Sequence, residues 1–169
     1  QHLQRQAQTI YNAITQHQNK NRENTPILIA IDGRCASGKT TLAAMVQKLY
    51  GSKYCDVLHT DDFFLRPHQR TRRRLLQSGG NIDLERFWSE VLRFAIDGKP
   101  FTYRPYDCKS NQFRPERLIR PKDVILVEGA YSCHPKLWDN YQMHIFLTVS
   151  PEQQRQRIRI RNGEDGLQL

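Results

Sequence analysis

The sequence predicts a doubly wound α/β fold, a parallel sheet flanked by helices on both faces, and three observations carry that expectation. Residues 27–31, 124–127 and 144–149 are continuous apolar runs of strand length, the pattern of parallel strands covered on both faces. Segments of helical periodicity separate them, as crossovers between parallel strands require. The first run leads straight into a glycine-bearing loop, residues 33–40, and then into a helical pattern opening at Thr41-Leu42-Ala43.

Each element follows from a local signal. Residues 1–25 are rich in Gln and Asn, yet Leu3, Ala7, Ile10 and Ile14 recur at helical spacing, which predicts a thin amphipathic helix and a linker broken at Pro26. After the loop, Leu42, Met45, Val46 and Leu49 mark one helix face, and Gly51 is a suitable stop. A second strand is expected over 54–59. A polar, Arg-rich excursion carrying Gly79-Gly80 follows. Leu84, Phe87, Val91, Leu92 and Ala95 predict a helix stopped by Asp97-Gly98, and residues 99–121 read as irregular. Ser150-Pro151-Glu152-Gln153 opens a last helix, with Ser as N-cap and Pro in the first turn, and Asn162-Gly163 closes it. Residues 26–169 are thus expected to form one domain behind the N-terminal helix.

Composition narrows the class. The 169 residues contain no apolar stretch approaching membrane-spanning length, no signal segment and no lipidation motif, so a soluble, cytoplasmic protein with no membrane partner is expected. Cys35, Cys55, Cys108 and Cys133 lack C-x-x-C spacing and read as free thiols. The formal charge of +9 concentrates in residues 66–74 and 155–161. It serves either nucleic acid or a polyanionic small ligand. No RNA-binding signature and no aromatic–basic interleaving accompany it, which leaves nucleic acid as the weaker alternative.

The loop carries the chemistry. Gly33-Arg34-Cys35-Ala36-Ser37-Gly38-Lys39-Thr40 satisfies G-x-x-x-x-G-K-[ST] at every fixed position and sits between a strand and a helix. That context lets backbone N–H groups converge on phosphate at a helix N-terminus. The nine residues from Gly33 to Thr41 are therefore the candidate ATP-binding set, with Lys39 reaching the β- and γ-phosphates and Thr40 ligating Mg²⁺. A chance glycine turn is the plainer reading, and the flanking strand and helix argue against it. In such sheets ligands sit at the C-terminal strand ends. There the sequence has Asp61 and Asp62 after the second strand and Glu128 after the third. One acid can help hold Mg²⁺, and another can take a proton from an attacking hydroxyl. Asp61 and Glu128 are the candidates, although paired Asp residues also cap turns. Arg157 and Arg161 lie one helical turn apart and suit a lid over a transferring phosphoryl group.

The succession Ile31-Asp32-Gly33, Thr60-Asp61-Asp62-Phe63-Phe64, Gly80-Asn81-Ile82-Asp83, Tyr103-Arg104-Pro105-Tyr106-Asp107, Val127-Glu128-Gly129 and Arg157 to Arg161 resembles the uridine kinase-like family of P-loop kinases, which includes phosphoribulokinase and bacterial pantothenate kinase. The resemblance spans about residues 26–165. It implies a P-loop NTPase fold of the nucleoside-kinase kind with an Arg-bearing lid helix. It also implies ATP- and Mg²⁺-dependent phosphorylation of a hydroxyl on a small acceptor, most readily a nucleoside. By the same resemblance Asp61 is the base, Asp83 holds ribose hydroxyls, Tyr106 lines the base pocket, and Arg157 and Arg161 are lid arginines, with Arg159 a less direct match. Three positions depart from the pattern: Phe64 where uridine kinases carry Tyr, Asn111 in place of a base-reading His, and Asn162 in place of a lid Asp. They bear on specificity, so pantothenate, nicotinamide riboside and a sugar phosphate stand as other acceptors. The family continues past the lid into another strand and helix, which this sequence is expected to lack. A regulatory GTPase would need an N-K-x-D element, and Asn19-Lys20-Asn21-Arg22 does not supply it. A regulatory P-loop ATPase or a basic nucleic-acid binder is the alternative from another class.

Overall fold

The computed structural model describes residues 2–21 and 25–162. Helix α1 (His2–Lys20) leads to strand β1 (Ile27–Gly33), helix α2 (Lys39–Tyr50) and strand β2 (Cys55–His59). A 3-10 turn (Thr60–Phe63) and a short helix α3 (Arg72–Leu75) follow. Next come α4 (Leu84–Phe87), a π-helical turn (Trp88–Leu92) and α5 (Arg93–Ile96) in unbroken succession. Short strands β3 (Phe101–Tyr103), β4 (Tyr106–Asp107), β5 (Gln112–Phe113) and β6 (Arg117–Ile119) precede β7 (Val124–Glu128), α6 (Pro135–Trp138), β8 (Met143–Leu147) and α7 (Pro151–Asn162).

The central sheet has the order β2-β7-β1-β8, and every pairing is parallel. Strands β1 and β7 are buried along their whole lengths, as their unbroken apolar sequences require. Alternation then sorts their side chains into two cores. Leu28, Ala30, Ile125 and Val127 face Phe63, Phe87 and Val91, whereas Ile27, Ile29, Ile31 and Leu126 face Leu42, Val46 and α1. Helix α1 lies on α2: Ala7 and Ile14 are buried, and Tyr11 meets Tyr50 with ring centroids 4.7 Å apart. The thin apolar stripe read from residues 3, 7, 10 and 14 is the face it buries.

Several expectations change. Leu49 is 43% exposed, and α2 instead buries Leu42, Ala43 and Val46. The last strand starts one residue earlier and stops at Leu147, and it is not covered on both faces, because Phe146 is 63% exposed. Residues 99–121 are not irregular. β3 pairs with β6 and β4 with β5, antiparallel, giving two short ribbons. The Arg-rich excursion is tied down by its own side chains: Arg74 forms a two-pronged contact with Glu85, Arg70 Nε donates to Leu65 O, and Arg66 Nε donates to Gln69 Oε1. The Arg74 contact holds the Glu85 carboxyl down at about 2. Ser150 caps α7 as read, its Oγ accepting from Gln153 N at 3.2 Å. Gly163, expected to close that helix, lies outside the described residues. Among the described residues no helix is long and apolar enough to cross a membrane.

Candidate active site

Strand β1 delivers the loop to the N-terminus of α2. Gly33 has φ 148°, and a Cβ there would lie 2.4 Å from the Leu147 carbonyl oxygen, so only glycine lets the chain turn out of the sheet here. Ala36 (φ 58°) and Gly38 (φ 99°) complete the curl, and Lys39 Nζ donates to Gly33 O (2.8 Å) and Arg34 O (2.9 Å). The ammonium is therefore held over the loop it serves. Asp32, 8% exposed, accepts from the N–H groups of Gly33 (2.6 Å), Tyr131 (3.1 Å) and Cys133 (2.9 Å). Its carboxylate fastens the loop's entrance to the turn that follows β7.

Sheet register builds the acidic end of the site. His59 and Glu128 lie side by side at the ends of β2 and β7, and Ile31 of β1 flanks Glu128 on its other side. Glu128 is 4% exposed and accepts from Thr40 Oγ1 (3.1 Å) and His59 Nδ1 (2.5 Å). At Gly129 a Cβ would lie 2.0 Å from Thr60 Oγ1, so the chain can leave β7 at this angle only as glycine. The two aspartates part company. Asp61 faces the cleft beside Lys39 and Glu128, whereas Asp62 turns to Tyr103 Oη (3.2 Å) and Arg117 (3.7 Å) and fastens a ribbon. Burial against the cleft wall, then the Glu128 charge, raise the Asp61 pKa above the ordinary carboxylate range. That makes Asp61 a better proton acceptor than a free aspartate.

A cleft of about 890 Å³ joins the loop to Asp61, Phe64, Glu128, Arg157 and Arg161. Arg157 Nη1 donates to Ala36 O (3.0 Å), Gln154 Nε2 to Cys35 O (3.0 Å), and Arg161 Nη2 approaches Cys35 Sγ (3.4 Å), so α7 already rests on the loop. Five candidates do not line this cleft: Gly33, Arg34, Asp83, Tyr106 and Asn111. Asp83 caps α4, accepting from Arg86 N and Gln69 Nε2 at 3.0 Å each, and it lines a neighbouring cavity. Tyr106 is buried and donates to Asn111 Oδ1 at 3.1 Å, at the tip of a ribbon. Arg34 joins the loop through its carbonyl and is itself exposed.

His59 and Leu3 enter the site unannounced by the sequence reading. The signal for His59 was its place at a strand's C-terminal end, two residues before Asp61. Its contact with Glu128 raises the His59 pKa against the opposing effect of burial. The pair's contribution to stability is therefore full below the ordinary histidine pKa and is lost as pH rises through the raised value. Thermal melts of wild type and His59→Ala should differ most in mildly acidic buffer and converge in mildly alkaline buffer. A gap independent of pH would mean that the contact carries no such linkage.

The parallel sheet, the loop and the strand-end acids define a P-loop kinase fold. No family model matches the chain. Among curated proteins it is 29% identical over 118 residues to a pantothenate kinase of Ligilactobacillus salivarius, covering 63% of this chain and 38% of that one. It is also 29% identical over 161 residues to uridine-cytidine kinase 2-B of Danio rerio, covering 85% and 61%, and 27% identical over 136 residues to uridine kinase-like protein 3 of Arabidopsis thaliana, covering 75% and 28%. The chain thus spans less than two thirds of the length of each of these relatives. Among solved structures, a possible uridine kinase from Bacillus stearothermophilus superposes with a TM-score of 0.73 at 18% identity, covering 99% of this chain and 93% of that one. D-glycerate 3-kinase from Cryptococcus neoformans superposes with a TM-score of 0.66 at 16% identity, covering 96% and 80%. At those identities the structural likeness shows the fold. Taken with the curated relatives, the chain resembles the uridine kinase-like P-loop kinases.

Proposed function

We propose that this chain transfers the γ-phosphoryl group of ATP to a hydroxyl of a small acceptor. The observation that carries the reading is a single cleft in which a phosphate loop, Thr40 with Glu128, a cleft-facing Asp61 and the arginines of α7 converge. The Thr40 hydroxyl and the Glu128 carboxylate, 3.1 Å apart, form a hard oxygen pair suited to Mg²⁺. No cluster of three or more His, Cys, Asp or Glu side chains able to hold a metal occurs among the described residues. This fits an ion held largely by nucleotide phosphates, where it supplies charge neutralisation. Loop amides and Lys39 hold the phosphates. Asp61 accepts the acceptor's hydroxyl proton, and its raised pKa places the acid limb of kcat/KM above that of an ordinary aspartate. Arg157 and Arg161 compensate charge that spreads over the transferring group.

A nucleoside is the leading acceptor on the motif resemblance, with Asp83, Tyr106, Asn111 and Phe64 on the acceptor side. Asp83 and Tyr106 already have hydrogen-bond partners, so the acceptor competes for both. The deciding experiment is ADP release with Mg-ATP against uridine, cytidine, nicotinamide riboside, pantothenate and ribulose 5-phosphate, with Lys39→Ala as control. A signal with one acceptor that disappears in the variant supports the reading and names the substrate. ATP bound with silence across the panel would refute these acceptors, and no ATP binding would refute the kinase reading itself.

A further inference from the structure

The N-terminal helix reaches the cleft. Leu3, in the first turn of α1, lines it alongside Gly38 and Arg157. Both Leu3 Cδ atoms lie 3.8 Å, and Arg157 Nη1 lies 3.9 Å, from the point where a Cβ on Gly38 would sit. An aliphatic side chain from one end of the molecule and a guanidinium from the other therefore converge over the same glycine.

We propose that Leu3 forms an apolar wall of the subsite for the nucleoside part of the triphosphate, and that α1 is a component of the nucleotide site. The inference rests on the nucleotide reading above and extends it to a residue outside the loop motif. Its logic is directional. Asp61 and Phe64, in and just after the turn that follows β2, are the cleft residues assigned to the acceptor, and in-line transfer puts the acceptor opposite the leaving group. The nucleoside must then leave the loop away from that turn, and Leu3, beside Gly38, is the large apolar side chain that the cleft presents outside it. A purine has two apolar faces and seeks an apolar wall to lie against. Leu3 supplies that wall. Loop amides and Lys39 account for the phosphates but leave the ring uncovered.

The test separates ring from phosphates. Calorimetric titration compares wild type, Leu3→Ala and Leu3→Met, each with a Mg²⁺-loaded non-hydrolysable ATP analogue and with Mg-tripolyphosphate, which has the phosphates and no ring. Losing most of one leucine contact weakens the analogue by about tenfold in Leu3→Ala. Tripolyphosphate affinity stays within about twofold in the same variant, and Leu3→Met restores analogue binding, since the two side chains have similar volume. Equal weakening of both ligands would overturn the proposal and make Leu3 a support of the loop. Tighter binding in Leu3→Ala would overturn it by showing that Leu3 obstructs the cleft. A wild-type protein that binds neither ligand would remove the nucleotide reading along with the proposal. Wild-type binding that Leu3→Ala leaves unchanged removes the proposal alone.

Discussion

Asp61→Asn is expected to lower kcat by at least tenfold, since general-base assistance commonly supplies about 10² to 10⁴, while leaving ATP affinity nearly unchanged. The amide keeps the size and the hydrogen-bonding oxygen of the carboxylate but cannot take a proton. Its neighbours explain why ATP binding should survive. Lys39 is held by the Gly33 and Arg34 carbonyls, and Thr40 by Glu128, so neither depends on Asp61. Removing one of two nearby negative charges even relieves repulsion with Glu128. Steady-state kinetics and equilibrium binding on the same preparation decide the matter. Turnover within twofold of wild type would exclude Asp61 as the base.

Phe87→Ala should be the most damaging single truncation of the core, costing about 3–5 kcal/mol, a large share of a typical domain's 5–15. Phe87 is fully buried and meets Phe63 edge to face at 5.1 Å, and Phe63 in turn stacks on Tyr103 at 5.3 Å. This aromatic column links α4, the turn carrying Asp61, and the first ribbon. Deleting its α4 member leaves a cavity that the two remaining rings cannot close on their own. Denaturant unfolding should show a lower midpoint with little change in slope. A loss under about 1 kcal/mol would mean that the column repacks.

The phosphate loop, the strand ends and the flanking helices were legible because local rules fix them. Glycine is demanded where the chain leaves β1, Ser150 and Pro151 open α7, and the apolar runs of β1 and β7 mark interior parallel strands, although the similar run of β8 lies at the sheet edge. The two ribbons were not legible, since strands of two or three residues interrupted by Pro105 and Pro115 carry no periodicity. Their pairing joins residues as far apart as Phe101 and Ile119. His59 was hidden for another reason. One histidine at a strand end looks like strand, and only the register of β2 against β7 sets it beside Glu128. Asp62 shows the reverse. It neighbours Asp61 in the sequence, and Tyr103 and Arg117, both distant in the chain, claimed it.

Because His59, Glu128 and the loop's first glycine lie at the ends of adjacent strands, their spacing is set by the hydrogen-bond ladder and not by side-chain choice. Tolerance to inserted or deleted residues should therefore be sharply uneven along this chain. An extra residue at a ribbon tip such as Lys109 changes only a loop. The same insertion within β7 would slide Glu128 past Thr40 and turn it to the opposite face of the sheet. Length variation among natural or laboratory-made versions of this protein should accumulate between the ribbons and stop abruptly at the sheet.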